Sequence, residues 1–270
     1  MIKVFELTNK YMVLATPLIL FSLISNLYVA ISSQGRIINL LIAIVLLLLM
    51  TSAFIAGWFS MVKNAIIQPE REDTNSLMKN FIPGVGEYFA SSVVVVINAF
   101  VILGLFLLIA YFVGMKFIGD IGISPESFSK AMESTPALKA FLLSLTKEQI
   151  VKMNQWNLLL LGSMVLSNFM IIFYLPVVFF KEKNPFKALF LSVTDLFKKK
   201  FITTFGIGVL IFVTYFVISI LMAMFAGNII LHFLVTLANF YFIMLVSVGI
   251  FYYYYHNFVK SLGQNVDVEV

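Results

Sequence analysis

This chain of 270 residues contains no cysteine, which excludes disulfides, cysteine-held zinc and thiol nucleophiles. Charge is nearly as scarce. Charged residues make up 11% of the chain and apolar residues 61%, against about 25% and about 45–50% in soluble domains. No water-soluble fold could cover so much apolar side chain. Histidine occurs twice, as His232 and His256, and within the apolar stretches there is no His-x-x-x-His zinc pair, no Gly-Asp aspartyl pair and no serine with a histidine placed to activate it. Intramembrane proteases, pumps and proton-coupled carriers need titratable groups inside the bilayer. The apolar stretches of this chain hold no Asp, Glu, Lys or Arg, so no enzyme, metal site or cofactor is expected, and His232 reads as an interfacial histidine.

What is present is an alternation. Six uncharged stretches, residues 11–31, 37–61, 88–114, 156–180, 202–226 and 229–255, are separated by short segments that carry almost all the charge. About 20 apolar residues at 1.5 Å rise cross a hydrocarbon core of roughly 30 Å. The pattern predicts an all-α membrane protein of six transmembrane helices, with residues 1–262 forming one domain and an acidic, disordered tail over 263–270. Although Lys3 precedes an apolar run, no small-residue cleavage site follows it, so the first segment reads as a retained helix.

Orientation follows from counting cations. Lys3, Lys10, Lys63, Arg71, Lys79, Lys181, Lys183, Lys187, Lys198, Lys199, Lys200 and Lys260 lie on one side of these spans, and Arg36, Lys116, Lys130, Lys139, Lys147 and Lys152 on the other. The positive-inside rule then makes both termini cytoplasmic, with the protein in a bacterial cytoplasmic membrane. Tyr252 to Tyr255 would form an aromatic belt at the end of the last helix. The net charge of +5 comes from residues beside the spans, so membrane lipids are the expected partner and nucleic acid is not.

An internal repeat is the second signal. Residues 59–93 match 179–213 at a constant offset of 120, through the identical pairs Phe59/Phe179, Lys63/Lys183, Asn64/Asn184, Thr74/Thr194, Lys79/Lys199, Phe81/Phe201, Ile82/Ile202, Gly86/Gly206 and Val93/Val213. Each copy would be a helix, a cytoplasmic linker and a returning helix, within units of about 37–114 and 156–226. Both copies share one orientation, which makes the repeat parallel.

The linkers carry the candidate site. Asn184 followed by Pro185 offers an N-cap and a first-turn proline. Phe186, Leu189, Phe190, Val193, Phe197 and Phe201 then recur at three- and four-residue steps, with Lys187, Asp195, Lys198 and Lys199 mostly elsewhere. Such a helix can lie in the membrane surface, its aromatic face among acyl chains and its lysines toward anionic headgroups. The expected lipid-contacting residues are Lys183, Lys187, Lys198, Lys199 and Lys200 with Phe186, Phe190, Phe197 and Phe201. Packing of the same phenylalanines on the bundle ends is the alternative. In the first copy, Pro69 and the charges of residues 70–73 break the pattern.

The 115–155 connection also reads as helical. Ser124-Pro125-Glu126 and Thr135-Pro136 look like helix starts, and Thr146 with Gln149 fits a capping box. Two or three short amphipathic helices on the outer face are expected. Within the spans, Asn98, Asn168 and Asn239 could line a polar cavity near the midplane or simply bond between helices. Pro17 and Pro176 should break the hydrogen-bond ladders of the first and fourth spans.

Over residues 184–210, NPFKALFLSVTDLFKKKFITTFGIGVL, the chain resembles the polytopic membrane domain associated with bacterial glycerophosphodiester phosphodiesterases and related bacterial membrane proteins. Pro185, Ala188, Ser192, Lys199 and Phe201 carry the resemblance. It implies a membrane component without esterase activity, because the hydrolytic barrel and its metal ligands have no counterpart here. The leading expectation is a non-catalytic structural or accessory membrane protein engaging lipid, or another membrane protein, through basic-aromatic helices. A transporter or permease-like subunit for a neutral or lipidic substrate is the alternative.

Overall fold

The computed structural model describes residues 2–32, 37–69, 74–198 and 200–260, and all regular structure among them is helical. Among the described residues, six helices are long and apolar enough to cross a membrane, so the chain is a multi-pass membrane protein. In order, the elements are α1 (Ile2–Lys10), a 3₁₀ turn (Met12–Leu14), α2 (Ala15–Ser32), α3 (Ile37–Ile67), α4 (Thr74–Lys79), α5 (Phe81–Phe117), α6 (Pro125–Ala131), α7 (Thr135–Ser144), α8 (Lys147–Met170), α9 (Tyr174–Phe180), α10 (Pro185–Leu196), α11 (Phe201–Met224), α12 (Ile229–Tyr254) and a π turn (Tyr255–Val259). They form two compact units, residues 1–99 with 170–270, and residues 100–169.

The long helices overrun the apolar windows of the sequence. Backbone hydrogen bonding continues after hydropathy falls, so Lys63, Glu87 and Lys116 lie within α3 and α5. The fourth span begins at Lys147 rather than 156, because the capping box feeds straight into it. It also breaks. A turn at residues 171–173 separates α8 from α9, four residues before Pro176, whose missing N–H frees a carbonyl there. Pro17 sits in the first turn of α2, just after the 3₁₀ turn. The sequence reading missed α1, a separate helix docked along α12, where Val4 lies against Gly249 and the Tyr241 hydroxyl donates to Asn9 at 2.8 Å.

The core of the first unit is aromatic and lies toward the C-terminal end of α3. Rings run from Phe21 to Phe54 (4.4 Å), Trp58 (5.4 Å) and Phe59 (4.8 Å), then to Phe251 (4.8 Å). Phe179 touches both Phe59 and Phe251 and stacks on Tyr88 at 4.2 Å. One chain of rings thus joins α2, α3, α12, α9 and α5. Trp58 also donates its indole N–H to the Leu14 carbonyl at 2.8 Å. Gly84 lets α5 close on α3, since a Cβ there would stand 2.4 Å from the Ser60 Cβ. Away from this core, α11 buries only Thr204 among its residues, an arrangement that is cheap where the surrounding solvent is as apolar as the side chains.

The second unit is a helical hairpin with two short helices at its tip. Ser124 caps α6 through the Ser127 N–H (3.2 Å), and Ser134 caps α7 through the Ala137 N–H (3.3 Å), so the α7 cap is one residue earlier than Thr135. Thr146 and Gln149 exchange bonds of 3.0 and 3.3 Å as a capping box does. Gly119 and Gly122, with φ of 77° and 73°, turn the chain so that their carbonyls accept Trp156 Nε1 and Gln149 Nε2 at 3.1 Å each.

Candidate membrane-surface site

Helix α10 starts where the sequence places it. The Asn184 side chain accepts the Phe186 and Lys187 N–H groups at 3.1 and 3.3 Å, and Pro185 occupies the first turn. At 3.6 residues per turn, Phe186, Phe190 and Phe197 fall within about 40° of one another. They face outward, 67%, 72% and 58% exposed. The opposite face, Ala188, Ser192, Asp195 and Leu196, is buried. The helix is therefore inverted relative to one in water, with small and polar residues inward and phenylalanines outward. Phe201, in the first turn of α11, stacks on Phe197 at 5.4 Å. A shallow groove of about 470 Å³ runs along α10, lined by Glu182, Phe186, Lys187, Phe190 and Leu191.

The inward face corrects the sequence reading of Asp195, which had grouped it with the exposed lysines. Asp195 is 2% exposed. Its carboxylate accepts Lys181 Nζ at 2.9 Å, Lys198 Nζ at 2.9 Å and the Tyr254 hydroxyl at 2.7 Å. Burial pushes this carboxyl up, but the bonds from Lys181, Tyr254 and Lys198 outweigh it and hold the group below its ordinary value. Tyr254, expected in an interfacial belt, is fully buried instead. The other three tyrosines fit between neighbours: Tyr252 stacks on His256 at 4.0 Å, Tyr253 shares a 3.3 Å hydrogen bond with Thr204, and Tyr255 packs on Phe180 at 5.2 Å.

A second cluster surrounds Tyr88. Lys63 donates to its hydroxyl at 2.7 Å, and the ammonium groups of Lys63 and Lys183 stand 5.3 and 5.4 Å from its ring centroid. Lys183 pairs with Glu87 at 2.6 Å, and its backbone carbonyl accepts Ser91 Oγ at 2.8 Å. Nothing in the apolar periodicity marks Lys63, Glu87 or Tyr88; only the repeated Lys-Asn dipeptide, 63–64 and 183–184, points toward them.

The lysines expected to face headgroups therefore divide. Lys183 and Lys198 are exposed but ion-paired, Lys200 bonds Asn257, and the Lys187 ammonium makes no hydrogen bond or ion pair among the described residues. Lys199 lies outside the described residues, as do residues 70–73 and the tail over 263–270. Among the described residues, Asn98 and Asn239 share no hydrogen bond. Asn98 donates to the Tyr174 hydroxyl at 2.8 Å, Asn168 donates to the Met164 carbonyl of its own helix at 2.8 Å, and the buried Asn239 Oδ1 has no partner among the described residues.

No family model matches this chain, and neither a curated protein nor a solved structure is similar to it. The resemblance over residues 184–210 rests on those residues alone.

Proposed function

We propose that the protein is a non-catalytic component of a bacterial cytoplasmic membrane that engages the lipid surface through α10, with both termini in the cytoplasm. The outward stripe of Phe186, Phe190 and Phe197 carries this reading. Three exposed phenylalanines on one face are costly in water, at about 25 cal/mol per Å² of apolar surface, and favourable among acyl chains. Lys183 and Lys187 on the same segment provide the charge that anionic headgroups attract. The chain is also read as two copies of one unit. Support comes from Phe59 and Phe179 meeting at Phe251, and from α5 and α11 beginning at the equivalent residues Phe81 and Phe201. The likeness to the membrane domain of glycerophosphodiester phosphodiesterases belongs to the same proposal.

Because the chain has no cysteine, single spin labels test the surface placement without background. Labels at Phe190→Cys and Phe197→Cys, in the full chain reconstituted in bilayers, should collide more with oxygen than with a water-soluble nickel chelate. A label at Lys187→Cys should show a smaller oxygen preference. Nickel-dominated collisions at 190 and 197 would place α10 in water and defeat the reading. Labelling of Lys183→Cys in intact cells by an impermeant maleimide would defeat the orientation.

A further inference from the structure

We propose that Lys63 and Lys183 form, around Tyr88, a binding site for one phosphate-bearing anion. The starting point is a charge imbalance. Two ammonium nitrogens lie within 5.4 Å of a single ring centroid, and the one carboxylate paired in the cluster, Glu87, is bound to Lys183. Lys63 is half-buried, and its hydrogen bond is to a neutral hydroxyl. It forms no ion pair within 4.0 Å among the described residues, and Glu87, bound to Lys183, acts on it only as a more distant charge. A half-buried cation whose direct partner is a neutral hydroxyl, and whose nearby carboxylate is already taken by a second lysine, is expensive unless a further anion completes it.

The cluster is also built and accessible. Phe179 covers one face of Tyr88 at 4.2 Å, which leaves the other face and the rim to the ammonium groups. Ser91 holds the backbone carbonyl of Lys183, so the lysine's base is fixed across α5. The side chains of Lys183 and Glu87 are 64% and 46% exposed, which leaves a way in. Two point charges, one from α3 and one from the connection between α9 and α10, suit a tetrahedral oxyanion, whose equivalent oxygens serve both, better than the single plane of a carboxylate. The two lysines occupy equivalent positions of the repeat, so the site falls where the copies meet, as ligand sites in repeat-built membrane proteins do. A phospholipid headgroup or free phosphate could supply this chemistry. The inference rests on the surface reading only in placing this end of the helices at headgroup level; the spin labels on α10 report on that reading alone, and the titration below on this site alone.

The test uses the full chain in a neutral detergent at constant ionic strength, following Tm while dihexanoyl phosphatidylglycerol or inorganic phosphate is added. A saturable rise is expected. Its midpoint should weaken about tenfold in Lys63→Gln, stay near wild type in Lys63→Arg and in Lys139→Gln, and tighten by up to about tenfold in Glu87→Gln, where the competing carboxylate is neutralised. The Glu87→Gln arm retains both lysines and keeps the test decisive if Lys63→Gln does not fold. A response to the lipid alone identifies a headgroup site, and a response to phosphate as well identifies a general phosphate site. An unchanged midpoint in Lys63→Gln, a weaker one in Glu87→Gln, or no saturable shift with either probe overturns the proposal.

Discussion

The Tyr254 hydroxyl donates a 2.7 Å hydrogen bond to the carboxylate of Asp195, 59 positions earlier. With Lys181 and Lys198 on the same carboxylate, this bond ties the end of α12 to the inward face of α10. It sets how α10 is rolled, and hence which side of it presents phenylalanine.

The hub should therefore be stability-critical in a graded way. Asp195→Ala strands the Lys181 ammonium and should cost about 3–5 kcal/mol, and Tyr254→Phe about 1.5–3 kcal/mol. Lys198→Ala, on the exposed partner, should cost less than about 1 kcal/mol. Thermal denaturation of the detergent-purified variants gives the order, and a Lys198 effect as large as the Asp195 effect would contradict it.

The same carboxylate gives a pH dependence of defined sign. Its folded value is depressed, so the folded state binds fewer protons than the unfolded state, and the stabilisation is fully present above the unfolded value of about 3.9. It is lost as pH falls below that through the folded value. The Tm gap between wild type and Asp195→Asn should stay constant from about pH 5 to 7 and close below about pH 4.

Two glycines on α5 should behave oppositely. A Cβ at Gly84 meets Ser60, whereas one at Gly86 meets nothing within 4 Å. Gly84→Ala should lower stability by about 1–3 kcal/mol, while Gly86→Ala should be neutral or stabilising by up to about 1 kcal/mol. Similar losses at both positions would mean that α5 and α3 are not in close approach.

Asn98 and Tyr174 should couple. Across Asn98→Ala, Tyr174→Phe and the double variant, the interaction energy should be about 0.6 kcal/mol and no more than about 1.7 kcal/mol, the range for such bonds in membrane proteins. Strict additivity in a double-mutant cycle would show that the amide does not depend on this hydroxyl.

Much of the architecture was legible in the order of residues. Asn184-Pro185, Ser124-Pro125 and the Thr146–Gln149 box mark helix starts because capping is a local event, decided within four residues of backbone. Pro176 marks the α8–α9 break for the same reason. The short helix α1 escaped because its nine residues, with charges at Lys3, Glu6 and Lys10, fall outside the uncharged stretches, and its packing is against α12. The site was legible by half. The period of Phe186, Phe190 and Phe197 is plain, but Asp195 sits in a run with lysines and reads as one more surface charge.

Composition alone determined that oil surrounds most of this chain and that its helices run between charged ends, since transfer energies summed over about 20 residues dominate any local preference. Which face of α10 turns outward, that Tyr254 leaves the belt for the core, and that Lys63 and Lys183 meet on one ring were decided only by tertiary structure. Those outcomes depend on pairings across 59 and 120 positions, where the local period is the same whether a stripe faces lipid or protein. Packing and the need to satisfy one buried carboxylate choose between them.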